Sequence, residues 1–171
     1  MILSKQEEFS DAQAVTVTAI GTNVKDTKLV AFPFMVSEYD LVAATNSAAQ
    51  TDSTRDLGAG QPMWVVVQVD TAATAGGAAT VTVTFESSAA AAMTTPTVHF
   101  TSPAFSIAQM TPSGTVSNTL LAFMAPLGSY LQFLGIRYTV ATGPLTAGNF
   151  SAFMTRDVQS YRSYPAPYVV G

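Results

Sequence analysis

Thr80-Val81-Thr82-Val83-Thr84-Phe85-Glu86 alternates polar and apolar residues without a break. A β-strand turns successive side chains to opposite faces, so Val81, Val83 and Phe85 fall on one face and the threonines with Glu86 on the other. The stretch predicts a strand with one face in a core and one toward solvent. Val15-Thr16-Val17-Thr18 repeats the pattern on a smaller scale, and residues 63–70 (MWVVVQVD) open apolar on both faces, which reads as a central strand. Further strands are expected at 98–107, 118–125, 130–140 and 150–159, with a shorter one at 23–30. Trp64 and Phe133 lie inside these patterns and are expected in the core.

Turn signals separate the runs: Gly58-Ala59-Gly60-Gln61-Pro62, Gly76-Gly77, Pro112-Ser113-Gly114, Pro126-Leu127-Gly128 and Thr142-Gly143-Pro144. Helical periodicity is nearly absent, and the Ala-rich stretches 43–49 and 89–92 are too short to hold a helix alone and read as loops. These features predict an all-β chain, a jelly-roll-like antiparallel β-sandwich of about eight strands. A length of 171 residues suits one domain spanning 1–171, with a long unpatterned loop at about 31–56 and an extended tail at about 160–171.

Composition narrows the function. Charged residues are 11% of the chain against 48% hydrophobic ones, so the polar surface is made of Thr, Ser, Ala and Gln, and an oligomer or assembled component is expected. The net charge of −4, with seven Lys and Arg scattered from Lys5 to Arg162, argues against a nucleic-acid partner. No membrane partner is expected either, because Lys5, Glu7 and Glu8 interrupt the N-terminal region and the longest bulky apolar run, 63–67, is too short to span a bilayer. The reading is of a protein made and used in solution in the cytoplasm. With no cysteine, thiolate metal sites, disulfides and Cys nucleophiles are excluded.

Candidate chemistry is sparse. His99 is the only histidine, alternation puts it on the face opposite Val98 and Phe100, and no G-x-S-x-G accompanies it, so a structural or surface role is expected. Asp52 and Asp56 lack the ligand alternation and central glycine of a calcium loop. Gly58-Ala59-Gly60 is not followed by Lys-Ser/Thr and is not a phosphate loop. No enzyme activity and no cofactor are expected. The clearest interaction signal is the tail, where Tyr161, Arg162, Tyr164, Pro165 and Tyr168 combine contact area with a preformed extended backbone.

Several ordered blocks resemble one family. Phe9-Ser10-Asp11-Ala12-Gln13-Ala14-Val15-Thr16, Arg55-Asp56-Leu57-Gly58-Ala59-Gly60 with the strand ending Val67-Gln68-Val69-Asp70, Ala75-Gly76-Gly77-Ala78-Ala79-Thr80-Val81-Thr82-Val83, and Tyr138-Thr139-Val140-Ala141-Thr142-Gly143-Pro144-Leu145-Thr146-Ala147-Gly148 are similar to the capsid cement, or decoration, proteins of tailed bacteriophages. The resemblance implies a jelly-roll-like sandwich on the outer capsid surface of the virion. It would be made in the host bacterial cytoplasm and would bridge subunits of the major capsid protein as a homodimer or homotrimer at a capsid symmetry axis. Phe9, heading the first block, joins the tail residues as a candidate contact. Residues 33–54 and the tail beyond Gln159 depart from the family pattern and are where partner-specific contacts are expected. A different class, a carbohydrate-binding or hydrolysing phage tail protein, is the alternative, because β-sandwiches also carry sugar sites and eleven carboxylates are present.

Overall fold

A computed structural model describes residues 7–26, 54–57, 62–111, 118–156 and 158. Their strands are β1 (Glu8–Ala14), β2 (Ala19–Ile20), β3 (Lys25–Asp26), β4 (Thr54–Leu57), β5 (Trp64–Ala75), β6 (Thr80–Ser88), β7 (Thr97–Thr101), β8 (Phe105–Ser106), β9 (Asn118–Met124), β10 (Gly128–Leu131), β11 (Phe133–Ala141) and β12 (Leu145–Thr155). One 3₁₀ turn, Ile107–Met110, follows β8. A four-stranded sheet runs β1-β12-β5-β9 and a six-stranded sheet runs β2-β11-β6-β7, with β3 also on β11 and β8 also on β6. All pairings are antiparallel, and the two sheets face each other as the expected sandwich. A separate ribbon pairs β10 with β4.

Two short connections between the long strands of the two sheets fix the architecture. The chain leaves β5, turns through residues 76–79 and enters β6 in the other sheet; it returns from β11 to β12 through residues 142–144. Because β5 pairs with β12 and β6 with β11, the two arches lie side by side, and their inward residues join one core. Alternation then does the filling. Val65, Val67 and Val69, Val81, Val83 and Phe85, Leu134, Ile136 and Tyr138, and Phe150, Ala152 and Met154 all point inward and are buried. The Tyr138 hydroxyl, held in this apolar interior, bonds the Ser10 hydroxyl at 2.8 Å. Burial pushes its pKa well above the usual phenol range, with Asp70 adding to the effect against the Ser10 bond.

Several sequence expectations shift by a few residues for local reasons. β6 forms as read, and the residues 89–92 are turn and bend. The run 98–107 breaks at Ser102-Pro103 into β7 and β8, and 130–140 breaks at Gln132 between β10 and β11. Residues 15–18 are not a strand: Val15 is buried but Val17 is exposed, because here the chain crosses from β1 in one sheet to β2 in the other. Residues 54–56, taken as the end of the long loop, belong to β4. Trp64 and Phe133 are only half-buried, since alternation from the core residues Val65 and Leu134 turns both outward. The loop at 31–53, the Ala-rich stretch 43–49 and the tail at 160–171 lie outside the described residues.

Candidate functional site

The expected contact residues fall in two groups. Phe9 is fully buried, its ring set edge-on to Phe85 with centroids 5.9 Å apart, and its carbonyl accepts the Asn23 N–H at 2.9 Å. It is a core residue and not an interface residue, because a bulge in the β1–β12 pairing turns it into the sandwich. Tyr161, Arg162, Tyr164, Pro165 and Tyr168 lie outside the described residues, as do Asp52 and the glycine cluster 58–60.

Three of the described carboxylates, Glu86, Asp70 and Asp26, are engaged in holding the fold. Glu86 is nearly buried on the outer face of the six-stranded sheet, where Arg137 donates to both of its oxygens at 2.9 and 3.0 Å and Thr84 donates at 2.6 Å. A second Arg137 nitrogen donates to the Met93 carbonyl at 2.9 Å, so the loop 89–96 is tied down beside the pair. Met93 accepts a positive φ of 49° to fit there. Asp70 accepts from Ser151 at 2.6 Å, and Asp26 accepts from the Gln132 amide. Glu86 and Asp70 stand on different sheets and do not converge on one site. Among the described residues no three of His, Asp and Glu gather as metal ligands.

His99 is not where strict alternation places it. The β6–β7 register slips between Phe85 and Glu86, whose partners are Phe100 and Val98, leaving His99 as the extra residue of a β-bulge. A bulge turns two consecutive residues toward one side. His99 accordingly packs against Tyr130, centroids 4.1 Å apart, and Phe100 stacks on Phe123 at 3.8 Å. Both rings join an aromatic cluster around Phe85 that also takes in Phe9. The Ser87 hydroxyl accepts the Leu131 N–H at 3.1 Å and shares a hydrogen bond with His99 Nε2 at 2.7 Å. Burial lowers the His99 pKa. The arrangement fastens β10 to β6 and β7; it has no exposed nucleophile.

The same cluster marks one side of the sandwich. Phe100 on Phe123 bridges β7 and β9, each the last strand of its sheet among the described residues. Three large apolar side chains on or beside these strands stay exposed: Val98 at 49%, on the outer face of the six-stranded sheet opposite Glu86, Met124 at 49%, on the outer face of the four-stranded sheet opposite Trp64, and Leu127 at 72%, just after β9. The chain carries no Asp, Glu, Lys or Arg from residue 87 to residue 136, the span that supplies β7, β8, β9 and β10. That charge gap is visible in the sequence, but an average of 11% charge conceals it, and only the fold gathers the span along one side.

Comparison with known proteins adds a family. The model of the Bbp16 family matches residues 37–154, which takes in β4 to all but the last residue of β12 and more than half of the chain. No curated protein matches it.

Proposed function

The chain belongs to the Bbp16 family, a phage-associated family that points to a viral structural protein, and from that premise we propose that it is a capsid cement protein of a tailed-phage head. It binds the outer capsid surface, bridges neighbouring subunits of the major capsid protein, and acts without turnover or cofactor. The observation that carries this reading is the pairing of a phage-associated family with an all-β sandwich in which Glu86, Asp70, Asp26 and His99 are engaged in structural bonds and β7, β8, β9 and β10 carry no Asp, Glu, Lys or Arg. A cement works by mass action: it binds the assembled shell and not the dissociated subunits, so it shifts the balance toward the shell.

Heads assembled with and without the protein test the proposal. Heads that lack it rupture at lower temperature and under milder osmotic shock, and adding purified protein restores both while it co-sediments in a fixed ratio to the capsid subunit. Equal stability of the two kinds of head, with no co-sedimentation, would remove the cement reading. Binding to polysaccharide in place of heads would transfer the protein to the carbohydrate class.

A further inference from the structure

We propose that His99 is a pH-sensitive latch: the neutral imidazole holds the β4–β10 ribbon against the sandwich, and the protonated one releases it while the two sheets stay intact. The ribbon is a sheet of its own, and among the described residues no strand pairing joins it to either sheet of the sandwich. Two of its attachments converge on His99. Ser87 Oγ accepts the Leu131 N–H at 3.1 Å and shares a hydrogen bond with His99 Nε2 at 2.7 Å, so β10, β6 and β7 meet at one hydroxyl. The fully buried Tyr130 ring has its centroid 4.1 Å from that of the imidazole and 5.6 Å from that of Phe85, and its hydroxyl donates to the Pro126 carbonyl. Residues 125–127 before β10 and Gln132 after it lie outside strands, so both connections can absorb a movement of the ribbon.

A proton on His99 alters both contacts. In the imidazolium each ring nitrogen is a donor, so Nε2 can only donate, and Ser87 Oγ must accept two N–H groups and turn its own hydrogen elsewhere. The ring also becomes a charge among Phe85 and Tyr130, which is costly without a counter-charge. Residues 87–136, which supply β7 to β10, hold no Asp, Glu, Lys or Arg, and their titratable side chains are His99 and Tyr130. On β6, Glu86 lies on the outer face and is bound by Arg137 of β11. Asp26 of β3 is bonded by the Gln132 amide just past β10, and β4 brings Arg55 opposite Tyr130 and Asp56 opposite Ser129 in register. Among the described residues no carboxylate bonds the imidazole, and burial holds its pKa below the ordinary value. The half-buried ring is fully hydrated once the ribbon leaves, so the open form takes up the proton more readily. Opening is therefore favoured as pH falls below about 6.5, the value of a free imidazole.

NMR of the full chain across about pH 7.5 to 5 tests the latch. The single histidine makes the imidazole resonances a direct report of His99 protonation, and amide exchange, corrected for its intrinsic pH dependence, reports opening. As His99 takes up its proton, protection of the Leu131 amide falls by about tenfold or more, while amides of the β6–β11 pairing keep theirs. Ser87→Ala exposes the Leu131 amide to exchange already near neutral pH, because its acceptor is gone. His99→Gln, which cannot become charged, leaves Leu131 equally protected at both ends of the range. The unmodified protein decides the matter even where a variant fails to fold. Leu131 protection that ignores the protonation of His99 overturns the proposal. So does protection lost from the β6–β11 pairing in step with Leu131, which would make the event global unfolding. A His99 pKa above about 6.5, with Leu131 exchange slowed by protonation, overturns it as well, since the Tyr130 ring would then hold the cation in place. Phage heads take no part in these measurements, so the latch stands or falls separately from the cement reading.

Discussion

Along one side of the sandwich the segment 8–26 passes from β1 on the four-stranded sheet to β2 and β3 on the six-stranded sheet and closes the gap between them; along the other, β7 and β9 are the last strands of their sheets among the described residues. The closed side is stitched by main chain. Gly21 N donates to Ile136 O at 2.7 Å, Asn23 N to Phe9 O at 2.9 Å and Val15 N to Gly148 O at 3.0 Å, and the Gln13 side chain bonds both Ile20 O and Thr22 N. It also holds charge: Lys25 is buried, with burial lowering its pKa against the opposing pull of Glu8. On the other side Phe100 stacks on Phe123, and β7, β8, β9 and β10 carry no Asp, Glu, Lys or Arg. Among the described residues the chain thus covers one edge with its own segment, and the strands at the other edge are uncharged. The contrast teaches that the low charge of this protein is a local property of one side.

Both sides lean on Phe85, whose ring touches Phe9 of the closed side and Phe123 of the other. Phe85→Ala should cost about 3–5 kcal/mol in chemical denaturation, the largest single effect expected. A loss below about 1 kcal/mol would mean that the two sides do not share a core. Next comes the buried ion pair. Glu86→Ala strands the Arg137 guanidinium beneath the loop 89–96; breaking a fully buried pair costs about 3–5 kcal/mol, and since Arg137 keeps 24% of its side chain exposed, about 2–3 kcal/mol is expected. Raised proteolytic cleavage within 89–96 should accompany it.

Gly21 probes the closed side directly. A Cβ built there would sit 2.6 Å from the Phe9 carbonyl oxygen, a backbone atom that cannot rotate away. Gly21→Ala should therefore destabilise by about 1–3 kcal/mol through overpacking. A neutral result would show that the crossing segment yields, and the contrast between sides would weaken. The pH response probes the other end of the cluster. His99 has a folded-state pKa below its unfolded value, so the unfolded chain binds the extra proton, and stability is fully present above about pH 6.5 and falls as pH drops below it. Melting temperature should decline from neutral to mildly acidic pH, and His99→Gln should flatten that part of the decline. Equal slopes for the two proteins would show that His99 does not contribute. The smallest effect is expected from Met124→Lys: exposed on an edge, it should change subunit stability by no more than about 0.5 kcal/mol, by thermal melting at a concentration that keeps the protein monomeric.

Alternation in residues 80–86 determined β6 and its inward face, and the Gly76-Gly77 and Thr142-Gly143-Pro144 signals determined where the chain turns, because period-two patterning and turn chemistry are local properties. The all-β class followed from them. Locality also sets where that reading stops. Nothing in TVHFT announces the bulge that sends His99 and Phe100 inward together, since a bulge is a mismatch between β7 and a partner strand elsewhere in the chain. Nor does Glu86 announce its burial: it sits among threonines on what alternation makes the solvent face, and only the return of the loop 89–96 and the arrival of Arg137 from β11 enclose it. Phe9 looked like a contact residue because the β1–β12 pairing that turns it inward joins segments at opposite ends of the chain. The charge gap from 87 to 136 was written in the sequence, but its consequence was not. A run without charge becomes a face only when the sheet order β1-β12-β5-β9 over β2-β11-β6-β7 places its strands at the same edge, and that order is decided by which long-range pairs form.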